Sequence, residues 1–396
     1  MESLRSALCS HDPVELGVAA RGAIPFEPFD EEGVRYFHLQ APGAKGGLAG
    51  VIERWRRVKD DEQVLAQAAA VVEDFGPDLI HVHGSEGPIG LLAESTAVPV
   101  LVSLQGLLLV CSRFYLTGIP PTEVLRDVLS VRFLKGGGLV HGWWNMRDAA
   151  ERETRILRSC RYFAGRTEWD KSVLSVVNPD ARYYHVEEAL RAEFYEHAWR
   201  GPSSGPFVIY TTHGANPYKG LINLLEAVAL LCKAGRRDIR VRVGGGVVGT
   251  VMWPIAQRAV SRFGLETAVE WLGPLSPGSI ASELEGASVY VHPSVIENSS
   301  NALAEAMMLG LPCVATSGGG TPSMIRDGVD GLLCAPNDVY GLAGKIAAIE
   351  ADPMLAAELG NNARIRARQR HDPSAIARAT VDMYADIVAR HCEGRR

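Results

Sequence analysis

Two successive series of apolar runs and helical stretches occupy most of the 396-residue chain. In the first series, from Asp12 to about Tyr195, runs such as LIHVHG and VPVLVSLQG alternate with segments of helical character, and FVIYTTHG opens a second series. Apolar strands separated by helices are typical of a parallel sheet that helices cover. GPSSGP at 201–206 is the only run of pure breaker residues and is the predicted linker. The sequence therefore predicts an α/β protein with two domains.

The composition indicates which classes of binding partner and which cellular compartment suit the chain. Hydrophobic residues make up 47% of the chain and charged residues 22%, which is ordinary for a soluble globular protein. A net charge of -6 argues against a nucleic-acid partner. The seven cysteines are scattered without a CxxC pair, and no apolar run is long enough to span a bilayer. Because the N-terminus also lacks the apolar core of a signal peptide, we expect a cytoplasmic protein without a zinc site.

Two acidic residues, Glu297 and Glu305, flank a predicted strand-to-helix junction in the second series. The strand ends at Val291, small polar residues follow at 298–301, and a helix is predicted over 302–309. The first N–H groups of a helix lack intrahelical acceptors, and the helix dipole favours an anion such as a diphosphate. Two carboxylates beside an anion are unfavourable unless they bind hydroxyl groups, which ribose and a hexose offer. The pattern therefore predicts a nucleotide-sugar site.

The acid pair belongs to a longer pattern that resembles a known family. Glu297 and Glu305 match the E-x7-E signature of the family-4 retaining glycosyltransferases, and LGLPCVAT, SGGG, IRDGVDGLL and APND follow in the family's order. The resemblance implies the GT-B fold, with two Rossmann-like domains facing each other across a cleft. It assigns 1–200 to an acceptor-side domain, 207–372 to a nucleotide-sugar domain and 373–396 to a helix that packs back on the first. The alternative is a buried α/β unit with two incidental surface acids.

The resemblance also implies a role for each donor-site residue. Glu297 and Lys219 are the expected catalytic residues: Glu297 binds hydroxyls of the donor sugar, and Lys219 contacts the diphosphate as a point charge. Glu305 is expected to hold the ribose hydroxyls. The other expected donor-binding positions are Ser299, Ser300, Asn301, Leu272, Gly273 and Gly214. Helix amides and Lys219 would neutralise the leaving diphosphate, so neither a metal nor another cofactor is expected.

One cationic contact of the family is missing from this chain. Relatives often carry an arginine five residues before the lysine, where this chain has Gly214. We expect Arg166 or a backbone amide to take its place.

The acceptor side is predicted where strands of the first series end, since open α/β sheets place ligands there. The expected residues are His83, Gly84, Gln105, Arg166 and Asp170. Gln105 stands where many relatives have a histidine, so histidine-assisted chemistry is not expected. The histidines at 81 and 83 also suggest a metal, but no cysteine or acid cluster accompanies them, and an acceptor-side or structural role is favoured. For Arg166 and Asp170, a local ion pair is an equal alternative.

The acceptor is expected to be a carbohydrate or a lipid-linked molecule. SLQG, RFYLTGIPP and GRTEWDKS resemble a subgroup that makes bacterial surface polysaccharides. Arginines at 152, 155, 158 and 161 recur along one predicted helix, as either a solvated basic face or a lipid-phosphate contact. The second alternative would place the protein peripherally at the inner face of the membrane.

These features predict a retaining transferase that moves a sugar from a nucleotide donor, by default a UDP-sugar, to a hydroxyl acceptor. One alternative is a nucleotide-sugar epimerase, which shares the two-domain fold. Another is a non-catalytic sugar-nucleotide-binding component of a polysaccharide assembly complex. This last alternative is motivated by Gln105 and by the start of the chain, where MESLRSALCS is predicted as a helix although relatives begin with a strand and a glycine-rich loop.

Overall fold

The structure, a computed structural model, describes Arg5, Leu8 and residues 14–22, 24–41, 46–57, 59–202, 205–236 and 238–393. Apart from Arg5 and Leu8, the helix predicted for MESLRSALCS lies outside these residues. The strands are β1 Leu16–Gly22, β2 Phe29–Glu31, β3 Val34–Gln40, β4 Ile80–His83, β5 Val100–Ser103, β6 Tyr162–Gly165, β7 Arg182–His185, β8 Phe207–Thr212, β9 Ile239–Gly244, β10 Val269–Gly273, β11 Val289–His292, β12 Cys313–Thr316 and β13 Leu332–Cys334.

The helices connect and cover these strands. They are α1 Gly47–Arg56, α2 Asp61–Phe75, α3 Leu108–Cys111, α4 Pro121–Val128, α5 Val131–Leu134, α6 Leu139–Ser159, α7 Glu168–Val177, α8 Glu193–Glu196, α9 Leu221–Lys233, α10 Met252–Phe263, α11 Pro277–Gly286, α12 Asn301–Leu309, α13 Thr321–Met324, α14 Val339–Ala351, α15 Pro353–Arg370 and α16 Pro373–Glu393. Short 3₁₀ helices occur at Ile89–Glu94, Ser112–Phe114 and Pro217–Lys219. Within the described ranges, no helix is long and apolar enough to cross a membrane.

The second α/β series forms a six-stranded parallel sheet in the order β10-β9-β8-β11-β12-β13. Successive residues of a strand enter two apolar cores on opposite faces: Val289 and Val291 of β11 join one core, and Tyr290 joins the other. Helices α9, α10 and α14 cover the first face, and α11 and α12 cover the second. Burial on both faces explains why these strands are continuous apolar runs.

The first α/β series is divided into two sheets, which the sequence pattern did not predict. Strands β4-β5-β6-β7 are parallel, whereas β1-β3-β2 form a separate sheet in which β2 is antiparallel. The residues of β5 are buried almost throughout, but those of β3 alternate between buried and accessible positions. A strand that alternates in this way needs cover on one face only, so the separate sheet lies at the periphery.

Two segments cross between the sheets. The last helix, α16, packs against the four-stranded sheet, where Met383 and Ile387 join an apolar cluster with Leu101 and Tyr162. The region around α4 instead lies against the six-stranded sheet, since Ile119 belongs to that sheet's core. Residues 1–200 are therefore not isolated from the C-terminal sheet, and the division at 1–200, 207–372 and 373–396 stays an interpretation of the sequence.

Candidate functional site

The loop between β11 and α12 carries three of the predicted donor-site residues, Glu297, Ser299 and Ser300, and α12 itself carries Asn301 and Glu305. The Ser300 side chain caps α12 by accepting a hydrogen bond from Leu303 N at 3.4 Å. In the part of the chain that the structure describes, the backbone N–H groups of 299–302 donate to no protein acceptor. These N–H groups include those of Ser299, Ser300 and Asn301. They lie at the positive end of the helix dipole, where they can donate hydrogen bonds to an anion.

A glycine run fixes the path of this loop. A Cβ added to Gly318 would lie 2.1 Å from Val295 O, and one added to Gly319 would lie 2.2 Å from Glu297 O. Gly320 N also donates to Glu297 O at 2.8 Å. The sequence motif SGGG therefore lets the chain after β12 pass directly against the segment that presents Glu297.

Lys219 and Glu297 form an ion pair at the carboxyl ends of the neighbouring strands β8 and β11. Gly220 has a φ of 78°, and an added Cβ would lie 1.9 Å from Pro293 O, so this glycine allows the lysine turn to approach the loop. Burial raises the pKa of the Glu297 carboxyl, but the charges of Lys219 and His292 outweigh burial and hold the pKa below its usual value. Glu297 is therefore a carboxylate at neutral pH.

Two buried histidines lie beside this ion pair, and the sequence did not identify them. His292 Nε2 is 3.8 Å from Glu297 Oε2. His213 Nε2 is 3.0 Å from Thr211 Oγ1, whose hydroxyl donates to Val291 O at 2.8 Å. Because that hydroxyl has one hydrogen, His213 Nε2 carries a proton and Nδ1 is an acceptor, buried and without a protein partner among the described residues. Burial lowers the pKa of His213 to about 3 and that of His292 to about 4.

Glu305 lies one turn inside α12 and is buried. Arg191 Nε and Nη2 donate to its Oε1 at 3.1 and 2.7 Å. Burial raises the pKa of the Glu305 carboxyl, and the Arg191 guanidinium opposes that rise. One oxygen of the predicted ribose-binding carboxyl is thus already engaged. Nothing in the local sequence marks Arg191, because its partner is 114 residues further along the chain.

Arg166 connects the two sides of the predicted site. Its Nη2 donates to Gln105 Oε1 at 2.8 Å, its Nη1 lies 3.4 Å from Asn301 Oδ1, and it forms an ion pair with Glu188. Asp170 accepts from the backbone N of Arg166 at 3.0 Å. The alternative of an Arg166–Asp170 side-chain ion pair is therefore wrong, because Glu188 and Gln105 occupy the guanidinium instead.

Asn298 makes the closest polar connection between the donor loop and the N-terminal sheet. Its Nδ2 donates to Asp170 Oδ2 at 3.1 Å and to Leu104 O at 3.2 Å, and Thr167 Oγ1 donates to its Oδ1 at 2.7 Å. The sequence interpretation treated Asn298 only as part of a polar turn. Its partners lie more than a hundred residues away, so their contact has no local signature.

His83 and Gly84 end β4 beside Gln105. His83, Gln105 and Arg166 line a small cavity of about 40 Å³ that α16 helps to enclose. His81 has both ring nitrogens engaged, by Tyr384 OH at 2.6 Å and Ser103 Oγ at 2.7 Å, which gives it a structural role. The described residues contain no group of three or more His, Cys, Asp or Glu side chains placed to hold a metal.

The remaining predicted donor residues lie along the carboxyl edge of the six-stranded sheet. Gly214 follows β8, and nothing lies within 4 Å of a Cβ added there. Leu272 and Gly273 end the edge strand β10, where a register shift between Trp271 and Gly273 leaves Leu272 in a bulge. These positions share a sheet edge with Glu297, but β10 is separated from β11 by β9 and β8.

Arg152, Arg155 and Arg158 of the predicted arginine stripe lie on α6, whereas Arg161 follows the end of this helix at Ser159. Arg152 Nη1 donates to Asp61 at 3.1 Å and Nη2 contacts Glu86 O, so only 16% of its side chain is exposed. Arg155 pairs with Glu94. Two of the four guanidinium groups are therefore bound by protein acceptors, which weakens the lipid-phosphate alternative for this stripe, whereas Arg158 and Arg161 are exposed.

Two family models match the chain in succession. A model described as Glycosyl transferase 4-like domain matches residues 2–166, and one described as Glycosyl transferases group 1 matches residues 196–366. A D-inositol 3-phosphate glycosyltransferase of Streptomyces bingchenggensis (strain BCW-1) is 31% identical over 177 residues, which cover 43% of this chain. The match spans only 39% of that relative's length.

Solved structures show the same fold at low identity. Sucrose-phosphate synthase from Thermosynechococcus elongatus aligns with a TM-score of 0.76 at 19% identity, covering 98% of this chain and 92% of that one. HepE of Anabaena, in complex with UDP, aligns with a TM-score of 0.60 at 18% identity, covering 89% of this chain and 86% of its own. With this fold and with both family models matched in chain order, the protein has the GT-B architecture and belongs to the group 1 family of glycosyl transferases.

Proposed function

We propose that this protein is an enzyme that transfers a sugar from a nucleotide-sugar donor to a hydroxyl group of its acceptor. The observation that carries the proposal is the Lys219–Glu297 pair beside the loop that opens α12. A cation, helix N–H groups without protein acceptors and two carboxylates gather there, at the edge where open α/β sheets bind ligands. The cation and N–H groups suit a diphosphate, and the carboxylates suit sugar and ribose hydroxyls.

Each charged group then has one task. Lys219 and the amides of 299–302 stabilise the negative charge that develops on the leaving diphosphate. Glu297, held ionised by Lys219, accepts hydrogen bonds from hydroxyls of the donor sugar. Glu305 binds the ribose through the carboxyl oxygen that Arg191 does not engage. This arrangement requires neither a metal nor a cofactor.

Retention at the anomeric carbon follows from the same assignment. In the front-face mechanism proposed for this family, the leaving phosphate accepts the acceptor's proton and no protein nucleophile is needed. The pairing of Glu297 with Lys219 supports this view, because an ion-paired carboxylate is a weakened nucleophile. The unpaired acceptor on His213 Nδ1 offers a further contact to a sugar hydroxyl.

The donor and acceptor classes are drawn from similarity. A UDP-sugar is the proposed donor, supported by the UDP complex of the Anabaena neighbour. A carbohydrate or lipid-linked acceptor in polysaccharide or glycolipid synthesis is proposed, at a cytoplasmic location with peripheral contact to the membrane. His83, Gly84, Gln105, Arg166 and Asp170 are the proposed acceptor-side residues.

Thermal-shift titration with UDP, GDP and ADP tests the donor site, since a ligand of the folded state raises the melting temperature. We expect a shift with one nucleotide that is lost in Glu305→Gln. Glu285→Gln is the matched control, because Glu285 also pairs with an arginine, Arg200, and contacts His197 Nδ1 at 2.7 Å, but lies on α11. Equal shifts in wild type and Glu305→Gln would remove Glu305 from the donor site.

The alternatives are separated by a second assay. It measures the release of nucleoside diphosphate from the sugar conjugate of the nucleotide that raises the melting temperature. A transferase releases it slowly without acceptor, through hydrolysis, and faster with a competent acceptor. A non-catalytic binding component shows the thermal shift without release, and an epimerase converts the donor sugar without net release. The anomeric configuration of the product, read by NMR, tests retention.

A further inference from the structure

An apolar surface lies on two neighbouring helical segments of the N-terminal half. Leu48, Ile52 and Trp55 follow one another at intervals of four and three residues on α1 and are exposed, as are Leu125, Leu129 and Leu134 on α4, α5 and their connection. Leu129 is 77% exposed and Leu48 is 75% exposed. Trp55 Nε1 donates to Leu134 O at 3.0 Å, and the Trp55 and Phe133 rings are 5.4 Å apart, which joins the two segments. We call these six exposed side chains the apolar surface.

Exposed basic side chains lie in the same two segments as the apolar surface, and we call them its basic rim. Residues 47–57 and 121–135 contain six basic side chains, all exposed, namely Arg54, Arg56, Arg57, Arg126, Arg132 and Lys135. Arg57 pairs with Asp148 and Arg126 with Glu123, so the docking argument rests mainly on the other four. Of the three acidic side chains in these segments, none is exposed. The segments thus carry a net charge of +3 in a chain whose net charge is -6. Exposed large apolar side chains inside a basic rim fit the interface of an anionic bilayer, where apolar groups enter the acyl boundary and basic groups meet phosphates.

We propose that this surface docks the protein on a membrane containing anionic phospholipids. The inference rests on the proposed function, because only a lipid-linked acceptor gives the enzyme a reason to bind a membrane. It assigns the membrane contact to the apolar surface and its basic rim and not to the arginine stripe of α6. A second copy of the chain is a poorer occupant, because a symmetric contact would place one basic rim against the other.

The position of the surface relates it to the candidate site. Helix α6 connects the two: His141 and Trp144 near its start contact Trp55, with ring centroids 4.6 and 6.5 Å apart. On the same helix, Trp143 and Met146 pack with the apolar cluster of Val295 and Ile296, in the loop that carries Glu297. The bilayer contact and the donor loop are therefore on two sides of one helix.

Flotation of the full chain with lipid vesicles tests the proposal. Vesicles of phosphatidylcholine mixed with phosphatidylglycerol are expected to bind the protein, phosphatidylcholine alone much less, and added salt is expected to weaken binding. The pair Arg132→Glu and Lys135→Glu is expected to lower partitioning at least about tenfold. The pair Leu129→Ser and Leu134→Ser is expected to lower it about tenfold through lost apolar burial.

Matched controls are Arg378→Glu and Met354→Ser, which change an exposed basic and an exposed apolar residue elsewhere. No binding of the wild type to anionic vesicles, or equal losses in the controls, would overturn the proposal. Self-association of the wild type that Leu129→Ser abolishes, without vesicle binding, would show a protein interface instead. The nucleotide thermal shift is measured on the same variants; since it reports the donor site alone, its absence in wild type counts against the proposed function and not against docking.

Discussion

Asn298 Nδ2 donates to Asp170 Oδ2 at 3.1 Å, and both side chains are buried. Asn298 directly follows Glu297 in the donor loop, whereas Asp170 lies on α7, between β6 and β7 of the four-stranded sheet. The hydrogen bond from the neutral Asn298 amide to the buried Asp170 carboxylate therefore helps to fix the position of Glu297, the proposed catalytic carboxylate. A neutral amide suits this place because it supplies a hydrogen bond without adding a second charge.

Asn298→Asp is expected to lower the free energy of unfolding by about 3 kcal/mol at neutral pH, since it places a second carboxylate against Asp170. The loss should shrink at acidic pH, because a proton shared between the two carboxyls removes the repulsion. Urea unfolding at both pH values measures it. Asn362→Asp is the control, because Asn362 Nδ2 donates to Val329 O at 2.9 Å on the accessible surface. A loss in Asn298→Asp no larger than in this control would show that the contact is not maintained in solution.

The Lys219–Glu297 pair predicts a pH effect whose sign depends on the lysine. Because Lys219 and His292 hold the pKa of Glu297 below its usual value, the wild-type carboxyl stabilises the fold above its unfolded pKa and loses this contribution as the pH falls through its folded pKa. In Lys219→Met burial dominates, the pKa of Glu297 rises, and its contribution falls as the pH increases.

The difference in unfolding free energy between wild type and Lys219→Met is thus expected to widen from pH 4 to pH 7. Nucleoside diphosphate affinity, measured by calorimetry, is expected to fall at least about tenfold, the value of a lost charge-assisted hydrogen bond. Lys219→Arg keeps the charge and should retain most of both properties. Unchanged nucleotide affinity in Lys219→Met would remove this lysine from the diphosphate site.

Local sequence signals predicted the elements of the donor site correctly. The polar run after Val291 and the apolar residues that follow it predicted a helix over 302–309, and the structure begins that helix at Asn301. Such a junction is encoded by neighbours in sequence: a capping serine, small polar residues and helical periodicity. The local patterns predicted the α/β class, and the GT-B fold that the family resemblance implied is confirmed by the structural alignments.

Contacts between distant residues escaped the sequence analysis. Arg191 reaches Glu305 and Asn298 reaches Asp170 only because the fold brings together residues more than a hundred positions apart. The separate sheet of β1, β2 and β3 was missed because pairing partners are chosen by tertiary packing, which periodicity does not encode. His213 contributes a buried hydrogen-bond acceptor, Nδ1, to the site. That role depends on the contact of its Nε2 with the Thr211 hydroxyl and on burial, which the sequence alone does not reveal.

Glu153 is expected to make stability depend on pH near neutrality. This fully buried carboxyl accepts from Ser85 Oγ at 2.6 Å and from Leu109 N at 2.7 Å, yet burial raises its pKa to about 7. Between its unfolded pKa and about 7 the folded state binds the extra proton, so stability falls as the pH rises through this window, by about 3 kcal/mol in total.

Glu153→Gln has no titrating group at this position, so its unfolding free energy relative to wild type should increase by about 3 kcal/mol between pH 5 and pH 8. Whether the variant is more or less stable at one pH depends on its hydrogen bonds, and only the slope of the difference tests the prediction. Chemical unfolding across this range measures the slope, with exposed Glu358→Gln as the control. A constant difference between Glu153→Gln and wild type would contradict the raised pKa.

Gly214→Arg is expected to strengthen binding of a nucleoside diphosphate about fivefold to tenfold. The family that this sequence resembles often has an arginine five residues before the lysine, where this chain has Gly214. An exposed or half-exposed guanidinium–phosphate contact contributes about 1 kcal/mol or more. The substitution is sterically allowed, because nothing lies within 4 Å of a Cβ at Gly214 and its φ is not in the left-handed region.

Calorimetry with the nucleotide that stabilises the wild type measures the gain, and the gain should diminish with salt because it is electrostatic. Gly278→Arg is the matched control, since its Cβ also meets nothing within 4 Å but lies at the start of α11. A gain in Gly214→Arg alone places the diphosphate beside the turn after β8, next to Lys219. Equal affinities in wild type and both variants would mean that the phosphate groups lie elsewhere along the sheet edge, and the donor-site assignment of Gly214 would then be wrong.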